Sequence, residues 1–340
     1  MGYYLRRTIQ AFLTLIVVVT ISFVLFRMMP SGPIQAMKNR LIRRAAAQGT
    51  AVNVERINQM VELYTGIKPD APLHVQYYRY VRDVILYQDF GTSIRYDRPV
   101  FEVLFKAMPW SVFISVYGLA LGYISNILLG AVMAYKEGSR FDSGSTIMSV
   151  LLSSIPYYVG AILLLAAFAY NLEWFPTGGR YNNDLAPGFD VAFMWSILRH
   201  AALPVLSSFI VGFGGRALAM RGNSIRILGE DYLRVARLRG ISSTRIATRY
   251  VARNAILPMY TGLMIGISAV FSSSVILEYI FTYPGVGWYT YGALKARDYP
   301  LLMGSFIFFT TITIIGIYVA DLTYGIIDPR ASTGDENEAF

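Results

Sequence analysis

The 340-residue chain has no cysteine and only two histidines, His74 and His200. The first absence excludes disulfides, thiol nucleophiles and cysteine-ligated zinc or iron–sulfur centres, and leaves the redox compartment unread. The histidines are too far apart for a zinc motif of the HExxH kind, so both are expected to be structural or interfacial and no metal site is assigned. None of Lys38, Lys68, Lys106, Lys136 and Lys295 follows a glycine, so the Gly-Lys-Ser/Thr loop that cradles phosphates is missing and ATP binding by that route is excluded. The outer acids Glu173, Asp184, Asp190 and Asp298 are scattered without helical spacing, which gives a membrane-surface enzyme no clustered active site. No cofactor is implied, and no internal repeat of about 20–50 residues is found. Charge is scarce as well, at 15% against a hydrophobic fraction of 55%, which is too apolar a balance for a soluble domain of this length.

What the chain has in abundance is long apolar runs. A bilayer core about 30 Å thick needs about 20 apolar helical residues. Six stretches meet that length: Thr8 to Phe26, Ser111 to Tyr135, Ile147 to Leu172, Ala201 to Met220, Ala255 to Phe281 and Leu301 to Ile327. None shows strand-like alternation, and in lipid only helices or closed barrels satisfy their own backbone groups. The expected fold is an all-α integral membrane protein with six transmembrane helices, which returns both termini to one side. The first run is read as a retained helix, because Phe26, Arg27, Met28, Met29 and Pro30 supply no small-residue cleavage site.

The location of the +9 formal charge argues against nucleic acid as the partner. Eight arginines face only Glu230 and Asp231 between Ala217 and Asn254, and Arg6 and Arg7 precede the first run. The positive-inside rule puts both segments, and both termini, in the cytoplasm. The stretch from Arg27 to Lys106 is also basic, but loops beyond about 60 residues translocate largely regardless of charge, so it is expected outside. Within it, Met37 to Ala47 reads as a basic amphipathic surface segment in contact with lipid, Val54 to Tyr64 as a soluble helix, and His74 to Gly91 as a helix closed by a glycine. Lys136 to Ser145 is a tight inner turn. Trp174 to Asp190 and Tyr283 to Pro300 are Gly- and Pro-punctuated outer loops, and Ala331 to Phe340 is an acidic, disordered tail. The expected division is 1–106, 107–330 and 331–340.

The most distinctive stretch is EDYLRVARLRGISSTRIATRYVARNAILP, Glu230 to Pro258. An acidic first turn suits a helix N-terminus, Gly240 can take a left-handed cap, and Ser242 or Ser243 can cap a second helix. Arg245, Arg249 and Arg253 then recur on one face, with Ile246 and Tyr250 on the other. The result is a cationic helix–turn–helix elbow wedged between hydrophobic runs.

This elbow resembles the cytoplasmic coupling segment, the EAA loop, of binding-protein-dependent ABC transporter permeases of the dipeptide, oligopeptide and nickel group. VILEYIFTYPGVGWYTYGALKARDYPLLMG and DLTYGIIDPR resemble the end of that group's first permease subunit, and PLHVQYYRYVRDVILYQDFGTS resembles its outer element. Arg234, Val235 and Ala236 replace the Glu-Ala-Ala of the general consensus, and Leu257 and Pro258 fall five residues late; both departures are shared with the peptide and nickel group. The stretch from about Ala36 to Asn53 is an insertion relative to shorter members. The resemblance implies a non-enzymatic transport subunit in a prokaryotic plasma membrane. It also implies a second permease, two cytoplasmic ABC ATPases that hydrolyse the ATP, and an external solute-binding protein. It places the ATPase-coupling role on Glu230, Asp231, Tyr232, Arg234, Ala236, Arg239 and Gly240, with Tyr232, Ala236 and Gly240 seating the elbow in a groove. Peptides are the group's commonest cargo, with nickel and oligosaccharides as alternatives.

Three ionisable residues fall within the runs, Arg216, Glu278 and Asp321, and these are the pathway candidates. Snorkelling or capping competes with that role at each. Gly212, Gly214 and Gly215 offer a close helix approach, Pro156 and Pro204 offer kinks, and Ser272 to Ser274 offer a polar lining. A stand-alone secondary transporter would be expected to show internal repeats and discontinuous helices with buried charge, and activity without ATPase subunits would favour it or a membrane enzyme.

Overall fold

A computed structural model describes residues 3–28, 38–39, 41–43, 46–47, 49, 54–65, 71–242, 245–251, 255, 259, 262–263, 266–267 and 275–327, with the backbone alone at some positions, among them 320–327. Among these the chain is helical and forms no named strand. The principal α-helices are α1 (Tyr3–Met28), α2 (Val54–Thr65), α3 (Leu73–Leu86), α4 (Val100–Tyr135), α5 (Arg140–Ser153), α6 (Tyr157–Leu164), α7 (Val191–Gly212), α8 (Gly215–Leu228), α9 (Asp231–Leu238), α10 (Val275–Ile280), α11 (Val286–Ala296) and α12 (Tyr299–Ile327). Two compact units emerge. One comprises Met1–Ser111, Phe271–Val275 and Pro284–Phe340, the other Val112–Val270 and Ile276–Tyr283.

Among the described residues, four helices are long and apolar enough to cross a membrane: Leu5–Leu25 within α1, α4, Val191–Ile210 within α7, and Tyr299–Val319 within α12. A fifth crossing is possible by length if α5 and α6, with the wide turn Leu165–Asn171 that continues α6, count as one span bent by 94°. The expected continuous run from Ile147 to Leu172 is therefore broken. Proline both lacks an N–H and holds the preceding residue out of the helical region; Pro156 occupies the N-cap of α6, where the chain turns. The expected span from Ala201 to Met220 is broken too. Its helix starts at Val191, runs through Pro204 and stops at Phe213, and α8 restarts at Gly215. Most of the run from Ala255 to Phe281 lies outside the described residues, as do Ser272 to Ser274, Met37 and the tail.

In the first unit α1 packs along α12 and against α3, because their apolar faces meet: Val19, Phe23, Val61, Tyr80, Val84 and Ile307 form one buried cluster. Phe23 meets Tyr77 and Tyr80 with ring centroids 5.5 and 5.6 Å apart. The outer helix α3 ends at Leu86 rather than at Gly91, since Gln88 already turns left-handed with φ +54°. The expected loop Tyr283 to Pro300 contains the eleven-residue helix α11. Pro284 and Gly285 precede it while Gly287 and Gly292 are accommodated inside it: Gly285 caps it, and Ser111 Oγ accepts the Val286 N–H at 2.8 Å.

Asp298 closes this unit. It is fully buried and N-caps α12, accepting the Leu301 N–H on one carboxylate oxygen at 3.3 Å. The other oxygen takes the Ser93 hydroxyl at 2.5 Å and the Arg95 N–H at 2.9 Å. Ser93 Oγ in turn accepts the Tyr96 N–H.

In the second unit α6 packs on α7, and α5 on both α8 and α7. The α4 helix contributes a stripe of small residues at every fourth position, Gly118, Gly122, Asn126 and Gly130. A methyl group at Gly130 would collide with the Ala217 carbonyl, and one at Gly118 would crowd Ser208 Cβ at 3.3 Å. Close packing between helices in lipid rests on this absence of side chains.

Candidate functional site

The elbow is built on α9 and a wide helical turn, Ile246–Val251. Leu233, Ala236 and Ile246 are buried together, flanked by Ile227, Leu228, Ile241 and Tyr250. These residues recur at helical spacing on the inner faces of the two arms, so the segment has a small core of its own. Gly240 makes the bend with φ +72°, a conformation that costs glycine nothing and a β-branched residue much. The Ile241 N–H returns to the Ala236 carbonyl at 3.2 Å, and the Arg239 N–H to Val235 at 3.0 Å, closing the α9 C-terminus with a left-handed cap as its sequence predicts. The Ser242 carbonyl accepts the Ile246 N–H at 3.0 Å and opens the second arm. Ser243 and Arg253 lie outside the described residues.

The outer face of α9 carries Glu230, Asp231, Tyr232, Arg234 and Arg239, all exposed. Between them stand two apolar residues to which the sequence assigned no role: Val235, noted only as a departure from the consensus, is exposed, and Leu238 is 81% exposed. Ala236 is 5% exposed and packed inside the elbow. Its side chain therefore packs between the arms of the elbow, and a charge introduced there would break the elbow's own core.

Two contacts brace α8, which leads into the elbow. Asp142, at the start of α5, receives Arg221 Nε at 2.6 Å and Nη2 at 2.7 Å. Its side chain is almost wholly enclosed, and the Gly138 N–H adds a third bond at 3.1 Å. A paired fork of this kind fixes orientation as well as charge. At the other end of α8, Gly214 has φ +114°, and a methyl group there would strike the Ser149 carbonyl. Its N–H donates to the buried Asn126 Oδ1 at 3.0 Å. The helix break thus keeps its buried backbone donor satisfied. The close approach expected of the glycine cluster falls on Gly214. Neither Asp142 nor Asn126 stands out in the sequence, since each acquires meaning only from a partner about eighty residues away.

The three pathway candidates are not brought to one place by any described contact. Arg216 lies over the Tyr123 ring, 4.9 Å from its centroid, a cation–π contact. Glu278 is 1% exposed, within electrostatic range of Tyr283, whose hydroxyl has no hydrogen-bond partner among the described residues. Burial chiefly, and the Glu278 charge with it, push the Tyr283 phenol up from its ordinary pKa. Glu278 is therefore buried within the packing. Asp321 lies in α12, where only the backbone is described. Of the histidines, His74 is exposed, and His200 Nδ1 sits 2.7 Å from the Ser196 carbonyl. No group of three metal-ligating side chains occurs among the described residues.

Comparison with known proteins identifies the family. Residues 126–333 match the family model for the binding-protein-dependent transport system inner membrane component. Residues 1–117 match the N-terminal model of the same systems' membrane components. The chain is similar to the dipeptide transport system permease protein DppB of Bacillus subtilis, with 30% identity over 96% of this chain and 97% of that protein. It is likewise similar to the oligopeptide transport system permease protein AppB of the same organism, at 30% identity over 97% and 98%. The oligopeptide transport system permease protein OppB of Haemophilus influenzae is 31% identical over 96% and 97%.

Proposed function

The chain belongs to the inner membrane components of binding-protein-dependent transport systems, and from that premise we propose that it is a permease subunit of an ABC importer for peptides. In this reading it pairs with a second permease to form the path, an external solute-binding protein delivers the peptide, and two ATPases on the cytoplasmic side open and close it. The Arg27 to Lys106 segment faces outward in the plasma membrane of a prokaryote, and both termini face the cytoplasm.

The observation that carries the reading is the elbow. A short helix with its own core and an exposed crown of Tyr232, Val235 and Leu238 among arginines is suited to sit in a cleft of another protein. Aromatic, aliphatic and arginine side chains on a preformed element make effective anchors. Force arriving there passes to α8, where the Asp142–Arg221 fork and the Asn126–Gly214 bond tie the helix to α5 and α4. Two packed arrangements of helices joined by such rigid links convert a local push into a larger shift. Arg234, Arg239 and Gly240 act in contact with the ATPase, and Ala236 acts by holding the arms together.

The test is uptake of a labelled tripeptide into liposomes that carry this chain, its partner permease and the ATPases, with the binding protein supplied outside. Uptake that requires ATP and is abolished by Leu238→Asp supports the reading. Uptake by this chain without any ATPase subunit would overturn it.

A further inference from the structure

We infer that Asp142 is a positioning residue of the transport stroke: its fork to Arg221 makes α5 and α8 one body that carries the elbow, and this body turns about a single hinge at the level where both helices break. The inference rests on the importer reading above.

The register of the two helices defines the body. Asp142 meets Arg221, and the Ser149 backbone stands where a methyl group on Gly214 would strike it. The second contact is seven residues further along α5 than the first and seven residues further back along α8. Equal and opposite steps mean that the helices run antiparallel in register over two turns, about 10 Å. Among the described residues the fork is the one side-chain hydrogen bond that joins them, since the buried Ser149 and Ser224 hydroxyls find no partner there. The same carboxylate accepts the Gly138 N–H from the turn that follows α4, and Ser139 caps α5 by taking the Asp142 N–H at 3.2 Å. One residue thus gathers the inner turn, the start of α5 and the middle of α8.

The hinge follows from where the helices stop. Gly214, just before α8, lies beside Ser149, and α5 ends at Ser153, four residues on. The two breaks are therefore about one turn apart along the axis, roughly 6 Å. At each, the backbone ladder that stiffens a helix is interrupted. Pro156 has no N–H to give, and the Gly214 N–H goes to Asn126 on α4 instead of to its own helix. Beyond the breaks the partners change: α5 meets α6 at 94°, and α6 packs on α7. An inner pair, α5 and α8, is thus joined to an outer pair, α6 and α7, through Ser154–Pro156 and Phe213–Gly214 at one level. Asn126 marks the pivot. α5 also touches α7, and that contact must slide when the hinge turns. Without the fork, α8 takes the push of the ATPase alone and bends at Gly214, leaving α5 behind.

The experiment places spin-label pairs on this chain, which has no native cysteine, in the complete importer with its other subunits freed of reactive thiols, using labelled chains that still import. Ile147→Cys with Arg226→Cys lies within the body, and Ile147→Cys with Tyr170→Cys spans the hinge; all three positions are exposed. On binding a non-hydrolysable ATP analogue, the first distance should stay within about 1 Å. The second should shift by about 5 Å, the travel of an arm about 20 Å long turned through about 15°. A fixed second distance, or a first distance that changes as much, overturns the proposal. Asp142→Asn should broaden the first distance and lower the tripeptide imported per ATP about 10-fold, with the ATPases still co-purifying. Asp142→Cys with Arg221→Cys should be uncoupled in the same way and recover when a short bifunctional thiol reagent joins the pair. Unchanged import per ATP in Asp142→Asn, or a joined pair that stays uncoupled, counts against the fork as the fastening. Uptake by the wild-type complex that needs no ATP defeats the importer reading itself, whereas ATP-driven uptake with a fixed Ile147–Tyr170 distance defeats only the hinge.

Discussion

The elbow at Asp231 to Val251 and the outer clamp around Asp298 solve the same problem, holding a short segment outside the hydrophobic spans, by opposite means. The clamp is polar and closed: one buried carboxylate satisfies a hydroxyl, a loop amide and a helix N-terminus at once. The elbow is apolar and open, with three buried side chains inside and Leu238 largely in solvent. A carboxylate with matched donors completes itself, whereas an apolar crown is complete only when something covers it. The clamp is an internal fastening, and the elbow leaves Val235 and Leu238 uncovered.

The comparison breaks most readily at the clamp. Asp298→Ala leaves the Ser93 hydroxyl and the Arg95 and Leu301 amides without their acceptor, at about 1–3 kcal/mol for each buried donor left unpaired. We expect a loss of about 2–5 kcal/mol in the thermal unfolding of the purified chain, and poor recovery of assembled complex. Ser93→Ala removes two bonds, the one donated to Asp298 and the one accepted from the Tyr96 N–H, and should cost about 1–2 kcal/mol. A cost as large as that of Asp298→Ala would mean the hydroxyl, and not the carboxylate, organises the clamp.

Gly240→Val is the corresponding blow to the elbow. There is open space around this glycine, so the effect is backbone strain alone, about 1–3 kcal/mol. Transport and ATPase co-purification should fall while the chain still inserts. Gly240→Asn tolerates the left-handed turn and should retain most of both activities; identical behaviour of the two variants would remove φ as the cause.

The smallest effect on the chain itself is expected from Leu238→Asp, within about 0.5 kcal/mol, because an exposed side chain with no internal contact contributes little to the fold. Co-purification of the ATPases should nevertheless be lost, while the melting temperature stays in place. Ala236→Asp sharpens the contrast. It should lose the ATPases and also destabilise the elbow, visible as faster protease cutting between Gly229 and Ser242.

Much of this was legible in the sequence. Tracts such as Leu5–Leu25 and Tyr299–Val319 announce themselves because solvation by lipid depends on composition. Gly240 could be placed because one backbone conformation at the end of an arginine-rich helix demands it. Composition, however, carries no direction. The tract from Ile147 to Leu172 is apolar throughout, yet Pro156 turns it, and the tract from Ala201 to Met220 breaks at Gly214. Whether such a residue bends or breaks a helix depends on a partner for the freed backbone group, and Asn126 lies 88 residues away. The site residues followed the same division. Exposure of Tyr232 and Arg234 follows from helical spacing, whereas the inward placement of Ala236 needs Ile246 on the facing arm. Asp142 is an ordinary loop charge until the fold sets Arg221 beside it.

The Asp298 clamp also imposes a schedule. Its donors on Ser93 and Arg95 leave the ribosome 205 and 203 residues before their acceptor. At about 5–20 residues per second, the outer segment waits roughly 10–40 s in an unfastened state, until the last helix is being made. The segment around Ser93 therefore has a defined window in which it is vulnerable, and a chain cut short before Asp298 never leaves it.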